Sequence, residues 1–227
     1  KASVRATERV HQILAYSGKG HFVPAPVEIN PVVDEVIGIL GAGMPAAIRL
    51  NAHPDGENPT VAGDRTQLTQ VVISLITNAW EAIDPETGGT VTVSTGFETC
   101  DADSLKETVV DVWMGYEEAP KSGRYAFLEV TDNGRGMDDQ VRRRLFEPFF
   151  STKFQGRGLG LAAVMGIVKA HGGFIRVTSR PEHGTVVRVL FPAQAEGAVS
   201  AAEGPPETPE SPPRGSGRVL VVDDEAA

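Results

Sequence analysis

A single cysteine, Cys100, stands among 227 residues, so the chain can close no internal disulfide and offers no cysteine cluster to a metal. As a lone residue it reads as packing rather than as a nucleophile. No stretch approaches the about 18 apolar residues that a membrane-crossing helix needs, and the opening residues lack the pattern of a secretory signal. The expectation is a cytoplasmic piece without membrane contact. Basic residues are also scarce: 21 Lys and Arg face 30 Asp and Glu, for a net charge of −9. That balance argues against a nucleic-acid partner, which needs positive surface. The basic run Arg142-Arg143-Arg144 reads as a solvated helix face. No internal repeat is visible. What is present is 41% hydrophobic residues, enough for one sizeable core with flanking pieces.

Three clusters fall close together: Asp132-Asn133-Gly134-Arg135-Gly136-Met137, Phe146-Glu147-Pro148-Phe149-Phe150-Ser151-Thr152-Lys153, and Gly156-Arg157-Gly158-Leu159-Gly160-Leu161. One glycine cluster alone marks only a turn. Their order says more: a strand ending in an acid and a glycine turn, a short helix, a flexible span, then glycines that open a helix at Leu159. Backbone N–H groups at a helix start, with no side chains in the way, form an anion site of the kind phosphate occupies.

Upstream, residues 67–83 (QLTQVVISLITNAWEAI) place Leu68, Val71, Val72, Leu75, Ile76, Ala79 and Ile83 at helical spacing, so one face packs on a sheet. Asn78 falls near that face. Its carboxamide needs a partner there. Two are open: neighbouring backbone, or a hard cation with oxygen ligands such as Mg²⁺ carrying nucleotide phosphates.

Residues 1–20 carry Val4, Val10, Ile13 and Leu14 on one side, a stripe that wants a partner helix, and Gly18 and Gly20 end it. Residues 27–29 predict a strand, and Asn30-Pro31 opens a helix to about Leu40, stopped by Gly41-Ala42-Gly43-Met44-Pro45. Residues 47–51 and 60–62 read as strands around a polar turn, and Asp64 caps the long helix. Residues 89–98 alternate as a strand with 125–131 as neighbour. Between them, 99–124 is an insertion with an apolar middle, Val109-Val110-Asp111-Val112-Trp113, expected as a hairpin extension. The helix after the third cluster runs to about Ala170, where His171 supplies a basic side chain in the last turn before Gly172-Gly173. Residues 174–179 and 185–191 complete a hairpin. The expected fold is α/β, a two-layer sandwich with a mixed sheet and helices packed on one face. Residues 193–217, rich in Ala, Glu, Gly, Pro and Ser, read as a disordered linker.

In order, Asn78 in its helix, DNGRGM, FEPFFSTK, GRGLGL and Gly184-Thr185 resemble the N, G1, F, G2 and G3 boxes of histidine kinase catalytic domains, in the GHKL ATPase superfamily with its Bergerat-type ATP-binding fold. The resemblance covers 27–192. Residues 1–20 resemble the second helix of a dimerisation and phosphotransfer hairpin, and 218–227 the opening strand and acidic pair of a receiver domain. The whole is similar to a piece of a hybrid sensor kinase. The resemblance implies ATP and Mg²⁺ as cofactors, a homodimeric parent, and transfer of the γ-phosphate to a hairpin histidine for relay to a receiver aspartate.

It also implies roles. Asp132 would accept a hydrogen bond from the adenine amine, and a buried carboxylate there rejects guanine, whose carbonyl would repel it. Gly134 and Gly136 would let backbone approach the base, Thr185 would support the same edge, and Ala82 and Met137 would line the apolar wall. Phosphate would fall to Asn78 through Mg²⁺ and to the turn Gly158, Leu159, Gly160 and Leu161. Lys153 and Arg157 would be lid cations neutralising charge on the transferred group. The family commonly carries a second Asn one turn before the metal-binding one; here that position is Ser74, whose hydroxyl can hold a water in the metal's outer shell. Hydrolytic relatives of the gyrase and heat-shock-chaperone type place a Glu there, and Ser74 cannot replace it as general base. Phosphotransfer is therefore favoured over a hydrolysing machine or an inert nucleotide scaffold. None of the five histidines fits the phosphoacceptor: His11 precedes Gln12 rather than an acid, and His21, His53, His171 and His183 fall in loops, turns or helix ends.

Overall fold

The computed structural model describes residues 24–54, 56–101, 121–153 and 158–194. Helix α1 (Ile29–Gly41) follows strand β1 (Ala25–Glu28); β2 (Ile48–Pro54) and β3 (Thr60–Gly63) lead into α2 (Arg65–Trp80). Then come β4 (Gly89–Cys100), β5 (Gly123–Asp132), the short α3 (Asp139–Arg144), α4 (Gly160–Ala170), β6 (Phe174–Ser179) and β7 (Thr185–Pro192). The main sheet runs β2-β4-β5-β7-β6, and β1 and β3 pair separately. Only β2 lies parallel to its neighbour; β4, β5, β7 and β6 are antiparallel in turn. The sheet is mixed and the helices lie on one face, as expected.

Alternation decides which face is covered. Val91 and Val93, Ala126, Leu128 and Val130, Val189 and Phe191, and Ile175 and Val177 are buried in one core with the apolar sides of α1, α2 and α4. Helix α2 packs on both α1 and α4 as well as on β4 and β5. On the opposite face Glu98 bridges Arg176 at 2.6 Å and Arg188 at 2.7 Å, and Arg188 reaches Glu129 at 2.7 Å.

Helix α2 starts where the sequence predicts, because Asp64 Oδ1 accepts the Gln67 N–H at 3.0 Å, a cap worth about 1 kcal/mol. Helix α1 starts earlier than Asn30-Pro31 suggests. Its first amides find partners in a distant loop instead of a local cap: Ile29 N–H donates to Pro59 O at 2.8 Å and Asn30 N–H to Asn58 Oδ1 at 3.3 Å. Asn30 itself accepts from Thr95 Oγ1. Strands β2 and β3 do not pair with each other across the polar turn; β2 joins the sheet edge beside β4, and β3 pairs with β1.

Strands β4 and β5 continue past their predicted ends until Cys100 faces Gly123. The hairpin extension therefore begins, and its apolar middle lies outside the described residues. Fold also continues past 192: Ala193 bridges Val61, and Gln194 N–H donates to Thr60 O at 3.1 Å. The helix expected over 1–20, the rest of the linker and the 218–227 tail lie outside the described residues.

Candidate functional site

A cavity of about 890 Å³ opens between α2, the ends of β5 and β7, and the segment leading into α4. Its polar anchor is Asp132, 7% exposed at the last position of β5. Register puts Thr185 directly opposite. Burial pushes the Asp132 carboxyl above the ordinary carboxylate range, and N–H donors from Gly134 and Thr185 with the nearby Lys153 charge counter it only in part. The Gly134 bond is 2.8 Å. A buried, ionisable acceptor held by two backbone amides is poised for an incoming N–H donor.

The turn after Asp132 is sewn down on both sides. Arg135 N–H donates to Ala82 O at 3.0 Å, and Arg135 O accepts from Glu182 N–H at 2.8 Å. Gly136 has φ 63°, and a Cβ there would collide with the Arg180 carbonyl. Only glycine fits. Ser179 then ties the neighbouring wall together: its Oγ accepts from Met137 N–H at 2.9 Å and meets Thr185 Oγ1 at 2.9 Å.

Helix α4 supplies the anion end. No side chain caps it, so its first amides have no intrahelical partner, and Gly158, Leu159, Gly160 and Leu161 all line the cavity. The amide of Asn78 abuts this start: a Cβ on Gly160 would stand 3.8 Å from Asn78 Nδ2. That nitrogen donates to Ser74 O at 2.8 Å, and Asn78 also lines the cavity. The backbone partner expected for Asn78 is therefore present.

Lys153 lines the cavity and its Nζ pairs with Glu81 Oε2 at 2.5 Å. Upstream of it, Phe149 adopts φ 67° and its N–H donates to Gly158 O at 2.9 Å, tying the FEPFFSTK segment to the glycine turn. Arg144 stacks over Phe150 at 4.2 Å and pairs with Glu147 at 2.9 Å, while Arg142 pairs with Asp139. The basic run is therefore spent locally.

The structure brings Asn78, Ala82, Asp132, Gly136, Met137, Lys153, Gly158, Leu159, Gly160, Leu161 and Thr185 to one cavity. Two expected residues stand back from it. Gly134 acts through its N–H on Asp132. Ser74 is buried one turn behind, where its Oγ accepts from Gln70 Nε2 at 3.1 Å. Arg157 lies outside the described residues. His171 is corrected in character: Nδ1 meets Ile167 O at 2.8 Å and Nε2 accepts Asp64 N–H at 3.1 Å. Burial lowers its pKa, so it is a neutral strut rather than a basic helix end. Glu81 was not anticipated; its spacing of three from Asn78, which puts both on one helix face, was the available signal.

A two-layer α/β domain with an uncapped helix start, a buried acid and a carboxamide around one cavity is the architecture of a nucleotide-handling ATPase module. The family described as histidine kinase-, DNA gyrase B-, and HSP90-like ATPase matches residues 63–195, and the chain belongs to it. It is 34% identical over 180 residues to the sensory histidine kinase/phosphatase NtrB of Rhizobium meliloti, covering 79% of this chain and 44% of that protein. It is 32% identical over 231 residues to the sensor kinase CckA of Brucella abortus, covering 98% of this chain and 23% of that one. The chain thus spans less than half the length of these relatives. The mycobacterial sensor histidine kinase MprB superposes with a TM-score of 0.57 at 27% identity, over 76% of this chain and 99% of that chain.

Proposed function

We propose that this domain binds Mg²⁺–ATP and delivers the γ-phosphate to a histidine of a dimerisation hairpin, for relay to a receiver aspartate in two-component signalling. The observation that carries this reading is one cavity with a buried acid at the sheet end and bare helix amides at the other wall, with Asn78 beside them. Asp132 holds the base edge through its carboxylate, with Thr185 beside it. The α4 amides take phosphate oxygens. The relatives' names, sensor kinases and histidine kinases, point to phosphotransfer as the outcome. The same reading takes 1–20 as hairpin and 218–227 as receiver in a hybrid, cytoplasmic, homodimeric parent, on the sequence resemblance of those two segments.

The donor set suits a cation that arrives with the phosphates: Asn78 lines the cavity beside the α4 start, and a carboxamide oxygen is the kind of hard ligand that Mg²⁺ takes. Asn78 Oδ1 would be its protein ligand, and the ion would neutralise charge on the transferred group. Lys153 adds a second positive charge at the cavity edge.

The chain, incubated with γ-labelled ATP and the parent's dimerisation hairpin, should place acid-labile label on a hairpin histidine, and Asn78→Asp should abolish it. Steady release of free phosphate without labelled hairpin would instead favour the hydrolytic reading.

A further inference from the structure

Glu81 is a carboxylate inside a cavity read as a polyphosphate site, where it is repulsive unless a cation masks it. It sits at the C-cap of α2, three residues after Asn78, so both face the same space. Lys153 masks it, bridging 72 residues of chain with an Nζ–Oε2 separation of 2.5 Å. The two side chains are 27% and 44% exposed, so the pair is exchangeable with solvent ions and not a locked core bridge. Lys153 also acts electrostatically on Asp132, which places its charge over the cavity. The backbone around it is shaped to keep it there: Lys153 N–H donates to Ser151 Oγ at 3.1 Å, and Phe149 anchors the same segment to Gly158.

We propose that Glu81 is a positioning residue that competes with phosphate for Lys153. While paired to Glu81, the ammonium is held at the cavity edge and the FEPFFSTK segment is tied to the end of α2. When Lys153 turns to a phosphate oxygen, that tie is released and Glu81 is left facing solvent. Nucleotide binding and freedom of the segment are then coupled through one ammonium that cannot serve two anions at once. This inference rests on the ATP reading above.

Calorimetric titration of the full chain with Mg²⁺–ATP and with adenosine separates the two. In Glu81→Gln, Mg²⁺–ATP should bind about two- to fivefold more tightly, the range set by removing an exposed ion-pair competitor. Adenosine, which carries no phosphate, should bind as in the parent. In Lys153→Gln, ATP binding should weaken, and adding Glu81→Gln to it should recover only the repulsion of the unmasked carboxylate, leaving the double variant weaker than Glu81→Gln alone. Weaker ATP binding by Glu81→Gln, or a double variant that binds ATP as tightly as Glu81→Gln alone, would overturn the competition. Failure of the parent to bind ATP at all would remove the ATP reading and this inference together, whereas parent binding unaffected by Glu81→Gln removes this inference alone.

Discussion

The imidazole of His171, at the end of α4, accepts the amide hydrogen of Asp64, the N-cap of α2, at 3.1 Å across 107 residues of chain. The helix that carries Asn78 and the helix that opens with the cavity-lining glycines are thus joined at their far ends by a neutral ring. Its other nitrogen donates to Ile167 O, and Phe191 packs edge-on at 5.9 Å.

That ring makes stability depend on pH. Folding lowers the His171 pKa from its ordinary 6.5, so between 6.5 and the lower folded value the unfolded chain binds more protons. Its contribution is present above pH 6.5 and lost as the pH falls below it. Urea unfolding from pH 7.5 to pH 5 should show this slope, and His171→Ala should remove it while costing about 2–4 kcal/mol for the stranded Asp64 N–H and the lost packing of the ring on Phe191. An unchanged slope in the variant would assign it elsewhere.

Asp132 has the opposite sign. Burial raises its folded pKa, so its contribution to stability is present below the ordinary 3.8 and lost as the pH rises through the folded value; at pH 7 the ionised group costs stability. Asp132→Asn keeps an acceptor for Gly134 N–H and removes that cost. The free chain should gain about 0.5–2 kcal/mol, within the range of single stabilising changes. Thermal melts in nucleotide-free buffer check this; a lower melting temperature would contradict it.

Asn78→Asp should weaken Mg²⁺–ATP binding about tenfold or more, in the range seen when groups around a metal are altered. The change removes the N–H that Ser74 O accepts and adds negative charge beside the phosphates. Circular dichroism should be unchanged. Titration calorimetry giving parental affinity would remove Asn78 from the metal role.

Gly158→Ala tests the lid turn. Gly158 has φ 64°, and a Cβ there would strike the backbone of Phe149 and Phe150; the conformation alone costs an alanine about 1–2 kcal/mol. The turn must open, which separates Phe149 from Gly158 and displaces the α4 amides. Mg²⁺–ATP affinity should fall while the urea midpoint of the sheet core moves little. A parental affinity would show that the turn is not needed for phosphate.

Local signals made much of this legible. The 3.6-residue spacing behind Asp64, the alternation of β4 and the glycine cluster before α4 each state their structure within a dozen residues. Partners chosen over long range were not legible. The sequence of β2, IRLNAHP, is exposed along most of its length, so nothing local says that it joins β4 rather than β3. Asn30-Pro31 marks a helix start by local rules, yet Pro59 and Asn58 satisfy the donors from outside. The site shows the same division: Asp132, Asn78 and the glycines announce themselves in short motifs, whereas the Glu81 carboxylate gains meaning only from Lys153, 72 residues away. Ser74 is buried among the inward-facing residues of α2 and bonds Gln70, a local partner that no motif marks.

A buried acid, bare helix amides and a carboxamide around one cavity are expected to form an ATP site. Parallel calorimetric titration of the chain with Mg²⁺–ATP and Mg²⁺–GTP tests it most directly, with Asp132→Asn as the comparison. The account predicts saturable ATP binding, at least tenfold weaker GTP binding as expected when a charge-assisted hydrogen bond worth about 1.5–3 kcal/mol is replaced by repulsion, and loss of that preference in Asp132→Asn. Equal affinity for the two nucleotides, or a preference that survives Asp132→Asn, would contradict it.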